Sequence, residues 1–207
     1  MSEPRIHVLY ENPAWVTTLA EALTGLGAPF ELMDVSGGMV DLSRLPPAGI
    51  YYSRMSASAH TRGHRYAAEF TACLLHWLES HDRLVVNGMP ALRLELSKVA
   101  QYTALEAHGI RTPKTVVATG PGQVLAAAAN FDGAFMTKHN RGGKGLGVYR
   151  HESLSTLEAF LDDEQYEEPV DGITLVQEYV ASPDGHITRC EFVGGRFLYA
   201  LRVNTTE

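Results

Sequence analysis

The sequence is poor in cysteine: its 207 residues hold two, Cys73 and Cys190. They lie far apart and without partners at metal-ligand spacing, so the chain reads neither as a disulfide scaffold nor as a zinc module. Both read instead as buried small hydrophobes in a reducing compartment. A basic excess is also lacking. With a formal net charge of -7, no surplus of cations is available to displace phosphate counterions, which excludes a protein built for non-specific nucleic-acid binding. The apolar run Ile6 to Tyr10 near the N-terminus is too short for a signal peptide or a membrane span, so the expectation is a cytoplasmic protein with no membrane partner. Repeats and low-complexity tracts are missing. What is present, 45% apolar and 20% charged residues, is the composition of an ordinary globular protein of one large or two small domains.

The most informative segment is residues 135 to 150, a short apolar run ending in Lys138 and followed by a glycine-rich loop. Gly142, Gly143, Gly145 and Gly147 let the backbone take positive φ and bring N–H groups close to an anion, while Lys138, Arg141 and Lys144 add charge to the same small volume. A Walker loop is excluded because Gly143-Lys144 is followed by Gly145 rather than Ser or Thr. The dinucleotide fingerprint fails as well, since its third glycine would fall at Arg150. A basic flap between two strand-like runs, Ala134 to Thr137 and Leu146 to Tyr149, remains; its alternative is a plain hairpin tip. Four glycines make ordering such a loop entropically costly, so it is expected to be mobile when empty.

The remaining punctuation describes an α/β protein. Arg5 to Tyr10, Phe30 to Val35, Gly49 to Ser53 and Leu84 to Asn87 read as strands. Helices are expected from Asn12 and Pro13 to about Gly25, and over Arg65 to Ser80 with Ala68, Cys73, Leu75 and Leu78 among the buried positions. Strands alternating with helices predict an open parallel sheet over residues 1–95, with ligands beyond the carboxyl ends of its strands. A second unit, 96–207, begins within a helical stretch from Leu92 to His108. It continues through a strand at Thr115 to Ala118, a helix from Gln123 to Asn130, the flap, and a helix capped by Ser153. Ile173 to Val180 and Ile187 to Val193 read as strands, and Gly194-Gly195 predicts a hairpin to Arg196–Val203.

Several further residues invite a chemical reading. Lys98 stands near a helix start, where the helix dipole disfavours a cation. His60 and His64 have helical metal-ligand spacing but no third ligand. Arg54, His60 and Arg62 follow a strand end and form a candidate site for an anionic substrate, a carboxylate or a peptide terminus, against the alternative of a solvated loop. The nearby serines lack the elbow and orienting acid of a nucleophile.

Taken in order, Ser97-Lys98, Gly109-Ile110-Arg111-Thr112-Pro113, Thr137-Lys138 with its flap, Gln177-Glu178-Tyr179-Val180 and Thr188-Arg189 resemble the ATP-grasp superfamily. The likeness is greatest to its RimK-like glutamate ligases and covers nearly the whole chain. Tyr52-Ser53-Arg54 and Val86-Asn87-Gly88 are similar to the domain that precedes the core in that group. The resemblance implies an α/β fold: an open parallel-sheet domain at 1–95 and an ATP-grasp α+β nucleotide-binding unit at 96–207, with a central lobe to about residue 180 and the start of a C-terminal lobe at 181–207. It implies that Lys98 and Lys138 hold the ATP phosphates beneath the flap from Arg141 through Gly142, Gly143, Lys144 and Gly145 to Gly147. Gln177, Glu178, Tyr179 and Val180 would form the hinge that reads adenine, and Arg189 and Arg202 would face the terminal phosphate and an acyl phosphate. The implied partners are ATP, a carboxylate and an amine belonging to an amino acid, peptide or protein terminus; a homo-oligomer stays open.

Two departures accompany this resemblance. The aspartate common before Ile-Arg in that group is absent from Ile187-Thr188-Arg189. The Mg2+ ligands of such enzymes are expected beyond residue 207, so the chain is expected to be part of a longer ligase. A nucleotide-binding regulatory or interaction protein and a phosphotransferase are the competing readings.

Overall fold

The computed structural model describes residues 5–143, 145–182 and 184–205. Four parallel strands, β1 (Arg5–Tyr10), β2 (Phe30–Asp34), β3 (Gly49–Ser53) and β4 (Leu84–Val86), form a sheet in the order β2-β1-β3-β4. Register pairs Leu9 with both Met33 and Ser53, and strand pleating therefore puts His7, Leu9, Tyr51 and Ser53 on one face. Against this face pack α2 (Ala67–Ser80), through Leu74, Leu75 and Leu78, and α3 (Met89–Leu96), through Leu92. Each fully buried leucine contributes roughly 1.5–3 kcal/mol. The opposite face is covered more thinly: α1 (Thr17–Gly25) has no fully buried residue, and Leu32 and Ile50 remain exposed.

A second sheet is antiparallel throughout, in the order β5-β8-β6-β7, and comprises β5 (Thr115–Thr119), β6 (Phe135–His139), β7 (Val148–His151) and β8 (Ile173–Glu178). Its Phe135 and Val176 face meets α5 (Pro121–Ala128) and α6 (Leu154–Leu161), with Val124, Ala128 and Leu157 closing a separate core. Ser153 starts α6 with a reciprocal capping box to Thr156. The alternate residues of this sheet, Lys138, Met136, Leu175 and Gln177, point the other way, toward α4 (Lys98–Ala107). A two-stranded ribbon, β9 (His186–Val193) and β10 (Arg196–Asn204), turns through Gly194 and Gly195 at φ 57° and 75°. These are the positive angles that a tight hairpin needs.

Some sequence expectations give way to this geometry. Leu92 to His108 is not one helix: Ser97 is extended at φ -138° and ψ 114°, ends α3, and caps α4 by accepting from Ala100 N at 3.2 Å. Asn12 caps a 3-10 turn, Pro13–Trp15, and the α-helix begins only at Thr17. Cys73 and Cys190 are exposed, not buried. Position 73 falls off the buried stripe of 67, 68, 71, 74, 75 and 78 on α2, and Cys190 lies on a ribbon with little burial on either side. His60 and His64 do not share a helical face, because Gly63 ends the 3-10 turn Ala59–Arg62 in the left-handed region at φ 83°.

The loops at the carboxyl edge of the parallel sheet are tied together by a buried acid. Glu11 continues the inward-facing register of Leu9, is 2% exposed, and accepts from Arg62 Nη2 at 2.6 Å, Arg62 Nε at 2.9 Å and His64 Nδ1 at 2.6 Å. Burial pushes its carboxyl up, but the hydrogen bonds and charges of Arg62 and His64 outweigh that and hold it below its ordinary value. A carboxyl depressed in this way stabilises the fold above its unfolded-state value, and the contribution is lost as pH falls through the folded value. Urea midpoints measured from neutral to acid pH are expected to fall along this limb. Glu11→Gln is expected to be less stable at neutral pH, where Arg62 loses its counter-charge, and to show a shallower acid slope.

Candidate functional site

The site is built around an asparagine at the end of β6. Asn140 is 5% exposed. Its Oδ1 accepts from Ser97 Oγ and Val99 N, each at 3.1 Å, and its Nδ2 donates to Asp171 Oδ2 at 2.7 Å. Its backbone N–H donates to Ile173 O at 3.1 Å, and its carbonyl accepts from Lys98 N at 3.2 Å. One residue thereby joins the first turn of α4, the base of the flap and the approach to β8.

Lys98 occupies the first helical position of α4 and reaches back to the flap, donating from Nζ to Gly142 O at 2.9 Å and more weakly to Asn140 O at 3.4 Å. Burial, then the charge of Lys138, lowers its pKa below the ordinary lysine value, against the opposing pull of Asp171 and Glu95. Lys138 projects from β6 and donates to Gln177 Oε1 and, at 3.4 Å, to Tyr102 OH. Gln177 in turn donates to Thr115 Oγ1 at 2.7 Å, which fixes the orientation of its amide. Among the described residues, no carboxylate lies within ion-pair distance of either amine. Two lysines held close together by neutral acceptors make a receptor for polyanionic groups, because an arriving phosphate supplies the missing counter-charge.

The flap leaves β6 and returns as β7. At its far end Gly147 has φ +66°, and a Cβ there would lie 2.5 Å from the His139 ring, so this position requires glycine on two grounds. Gly142 and Gly145 are also in positive φ, at 157° and 78°; Gly143 lies between them, and Lys144 lies outside the described residues. Arg141 donates from Nη1 to Glu69 Oε1 on α2 at 2.6 Å. Its Nε is buried without a hydrogen-bond partner. A cleft of about 620 Å³ opens here, lined by Ser97, Asn140, Arg141, Asp171, Met89 and Arg93 among others.

The segment Gln177 to Val180 closes β8, whose last residue is Glu178. Glu178 exchanges two bonds with Lys114, accepting on Oε1 from its N–H at 2.9 Å and donating its own N–H to Lys114 O at 3.0 Å. Tyr179 and Val180 are exposed, and Arg150 lies over the Tyr179 ring at 4.2 Å. Arg150 shares a sheet face with Lys138, since Lys138 pairs with Val148.

The first-domain candidates are placed differently from one another. Arg62 is engaged by Glu11 and Ser58. Arg54 spans the loops after β1 and β3, donating to Tyr52 OH at 3.3 Å and Trp15 O at 3.4 Å. The His60 ring lies with Nδ1 3.1 Å from Ala57 O. Arg189 is 68% exposed and paired with Glu191 at 2.6 Å. Arg202 lies opposite Thr188 and Arg189 opposite Leu201, so the two guanidinium groups leave opposite faces of the ribbon. Sequence reasoning missed Asn140, Glu11 and Glu69, whose roles come from contacts between distant segments, and Arg150, whose place on the Lys138 face follows from register. Among the described residues no three His, Cys, Asp or Glu side chains cluster to hold a metal ion.

Asn140→Ala would leave the half-buried Val99 N–H and Asp171 Oδ2 without their asparagine partner, while Asp171 Oδ1 keeps its bond from Ile173 N. Each lost hydrogen bond is expected to cost about 0.5–1.5 kcal/mol, read as a lower urea midpoint at unchanged m-value.

No protein-family model matches the chain. It is 27% identical over 209 residues to a protein of Teredinibacter turnerae named "Probable alpha-L-glutamate ligase", covering 98% of this chain and 68% of that protein. A protein of the same name from Saccharophagus degradans is 26% identical over the same shares. Among solved structures, a RimK domain ATP-grasp protein of Sphaerobacter thermophilus superposes with a TM-score of 0.73 at 21% identity, over 98% of this chain and 74% of that one. D-cycloserine synthetase DcsG superposes with a TM-score of 0.62 at 26% identity, over 94% and 66%. The two lysines, the glycine loop and the Gln177–Val180 segment are thus carried on a fold shared with ATP-grasp proteins, in a chain that is similar over 98% of its length to proteins named "Probable alpha-L-glutamate ligase".

Proposed function

We propose that the chain carries the nucleotide site of an ATP-dependent carboxylate-amine ligase, and that L-glutamate is one of its reactants. The observation that carries this reading is the Lys98 and Lys138 pair, held by carbonyl, amide and phenol oxygens with no carboxylate beside it. The reading divides the chain into a first unit at 1–95 and a nucleotide-binding unit at 96–207. Lys98 and Lys138 hold the phosphates, and the backbone N–H groups of Gly142, Gly143 and Gly145 close over them with Arg141 and Lys144. Glu178, Tyr179 and Val180 line the adenine edge, with Gln177 fixing Lys138 at the strand end. Arg54, His60 and Arg62 belong to the substrate side, and Arg189 and Arg202 to the ribbon that faces the terminal phosphate.

The ligase chemistry of this superfamily runs in two steps. A substrate carboxylate takes the terminal phosphoryl group of ATP, and an amine then displaces phosphate from the acyl carbon. The first step brings two anions together, so the positioned cations lower its barrier by neutralising charge where it accumulates. Mg2+, if bound with ATP, would add charge neutralisation at the phosphates; among the described residues no cluster of His, Cys, Asp or Glu would hold it. In this chain Lys98, fixed at the start of α4 by Asn140, would act from one side and Lys138, fixed by Gln177, from the other. The flap would exclude water, which otherwise competes with the amine.

The thermal midpoint with and without millimolar Mg-ATP tests the site. A ligand at about 100 times its dissociation constant adds roughly 2.7 kcal/mol of stability, and Lys138→Ala is expected to abolish that shift while leaving the unliganded midpoint little changed. ADP release that requires both an acid and an amine supports the ligase. Nucleotide binding without turnover in a chain extended to include the expected Mg2+ ligands would support a nucleotide-binding regulatory protein instead.

A further inference from the structure

The carboxyl edge of the parallel sheet holds a cavity that the nucleotide site does not use. It measures about 200 Å3 and is lined by Ser53, Met55, Asn87, Ala91, Leu92 and Glu95. Ser53 ends β3, and Asn87 follows β4, the strand beside it. Ser53 shares the pleat face of Leu9 and Tyr51, on which α3 packs through Leu92, so the space lies between the sheet edge and the side of α3. Open α/β sheets bind their ligands at this edge. The volume is below the roughly 300–1,000 Å3 of pockets that take a whole drug-sized ligand, so it suits one end of a small molecule. Met55 and Leu92 are buried and form its floor, whereas Asn87 and Glu95 are exposed at its mouth.

The polar atoms of this cavity are mostly acceptors. Glu95 reaches from the last turn of α3 to the loop after β3, where its Oε1 accepts from Ala57 N at 3.2 Å. Among the described residues Oε2 has no hydrogen-bond partner, and no cation lies within ion-pair distance of the carboxylate. Asn87 Nδ2 donates to Ser53 O at 3.2 Å. That carbonyl only accepts, which fixes the amide and leaves Oδ1 as an acceptor with no donor among the described residues. Ser53 is 4% exposed, and its hydroxyl has no partner among the described residues although it is not sealed from solvent. Buried hydroxyls are ordinarily hydrogen-bonded. Three acceptors, one of them an unpaired carboxylate, match a ligand that brings several donors and a positive charge. A primary ammonium has three N–H donors and no acceptor. Glu95 stands three residues before Lys98, across the Ser97 break between α3 and α4. An unpaired carboxylate and an amine without a counter-ion thus flank one helix junction, and ligation needs its amine and its phosphorylated acid side by side.

We propose that this cavity is the subsite for the ammonium group of the amino-acid reactant. Glu95 Oε2 supplies the counter-charge, Asn87 Oδ1 and Ser53 Oγ accept further N–H bonds, and Met55, Ala91 and Leu92 wall the carbon stem next to the nitrogen. The identity of the ligand rests on the ligase reading, and its positive charge rests on Glu95. The same carboxylate discriminates against acids that lack an amine, because their entry would set an anion against it without a donor between them.

The test compares L-glutamate with glutarate, which has the same two carboxylates and no ammonium. Each is titrated into the 207-residue chain in the presence of Mg-ADP. Proton-nitrogen correlation spectra follow the Ala57 N–H, which Glu95 holds, and the Asn87 side-chain amide. L-glutamate is expected to shift both signals saturably, and glutarate neither. Glu95→Gln keeps an acceptor for Ala57 and removes the charge. It is expected to weaken L-glutamate by about 10-fold or more, the scale of a hydrogen bond to a charged group, with the unliganded thermal midpoint little changed. Ser53→Ala is expected to weaken L-glutamate as well. Three results would each overturn the subsite: equal shifts from the two ligands, no response at Ala57 and Asn87 up to about 10 mM, ten times the upper end of ordinary Michaelis constants, or unchanged affinity in Glu95→Gln. The thermal shift with Mg-ATP that Lys138→Ala removes is read separately. Its presence without a response to L-glutamate refutes the subsite alone, and its absence counts against the ligase reading itself.

Discussion

The arrangement of the site depends on the buried carboxamide of Asn140. An amide has two acceptor lone pairs and two donor hydrogens, and here Oδ1 uses both lone pairs, on Ser97 Oγ and Val99 N. Those two bonds dictate why the chain breaks between α3 and α4. Ser97 must leave helical geometry to cap Ala100 and face Asn140 at once, and the new helix therefore starts with Lys98 pointing at the flap. A continuous helix from residue 92 would carry Lys98 elsewhere. Leucine or aspartate at 140 could satisfy at most part of this set: one offers no polar atoms, and the other offers no donor to Asp171.

Pleat parity supplies the second constraint. In the antiparallel sheet one set of alternate residues, with Phe135, Val176 and the hydrogen-bonded Thr137 and His151 among them, packs on α5 and α6, which leaves the other set to carry Lys138 and Gln177. The polar row is kept in place from the side: Thr115 is directly opposite Gln177, accepts from its amide, and thereby turns Oε1 toward Lys138. The row is also unbalanced in charge. Lys98 has its pKa lowered by burial and by Lys138, which means that the empty site disfavours its own charged state. An anion beside these amines would relieve that cost by favouring the charged form of Lys98.

Local chemistry made much of this legible. Gly25, Ser153 and the Gly194-Gly195 pair each act within a few residues, and the elements they bound stand close to where turn and cap rules put them. The glycine flap was legible for the same reason. Contacts between segments distant in sequence were not. Glu11 looks like a loop residue until the fold brings Arg62 and His64, 51 and 53 positions away, onto its two oxygens. Glu69 likewise reads as a surface acid of α2 until Arg141 arrives from 72 residues on. The buried stripe of α2 was read one position wide of the truth at Cys73, because a small thiol suits either side of a helix boundary and only tertiary packing decides.

The ribbon shows how far register can constrain a functional assignment. Arg189 and Arg202 lie nearly opposite in the hairpin, but nearly is decisive in a strand, where a shift of one residue reverses the face. With Leu201 across from Arg189 and Thr188 across from Arg202, the two guanidinium groups leave the ribbon in opposite directions. A single phosphate cannot be gripped by both while this register holds. Arg189 already carries a counter-ion on its own strand, Glu191 at 2.6 Å, which shares its face by the same alternation. Arg202 shares its face with Thr188 and Cys190, residues that bring no charge. Among the described residues Arg202 has no ion-pair partner, whereas Arg189 is paired with Glu191.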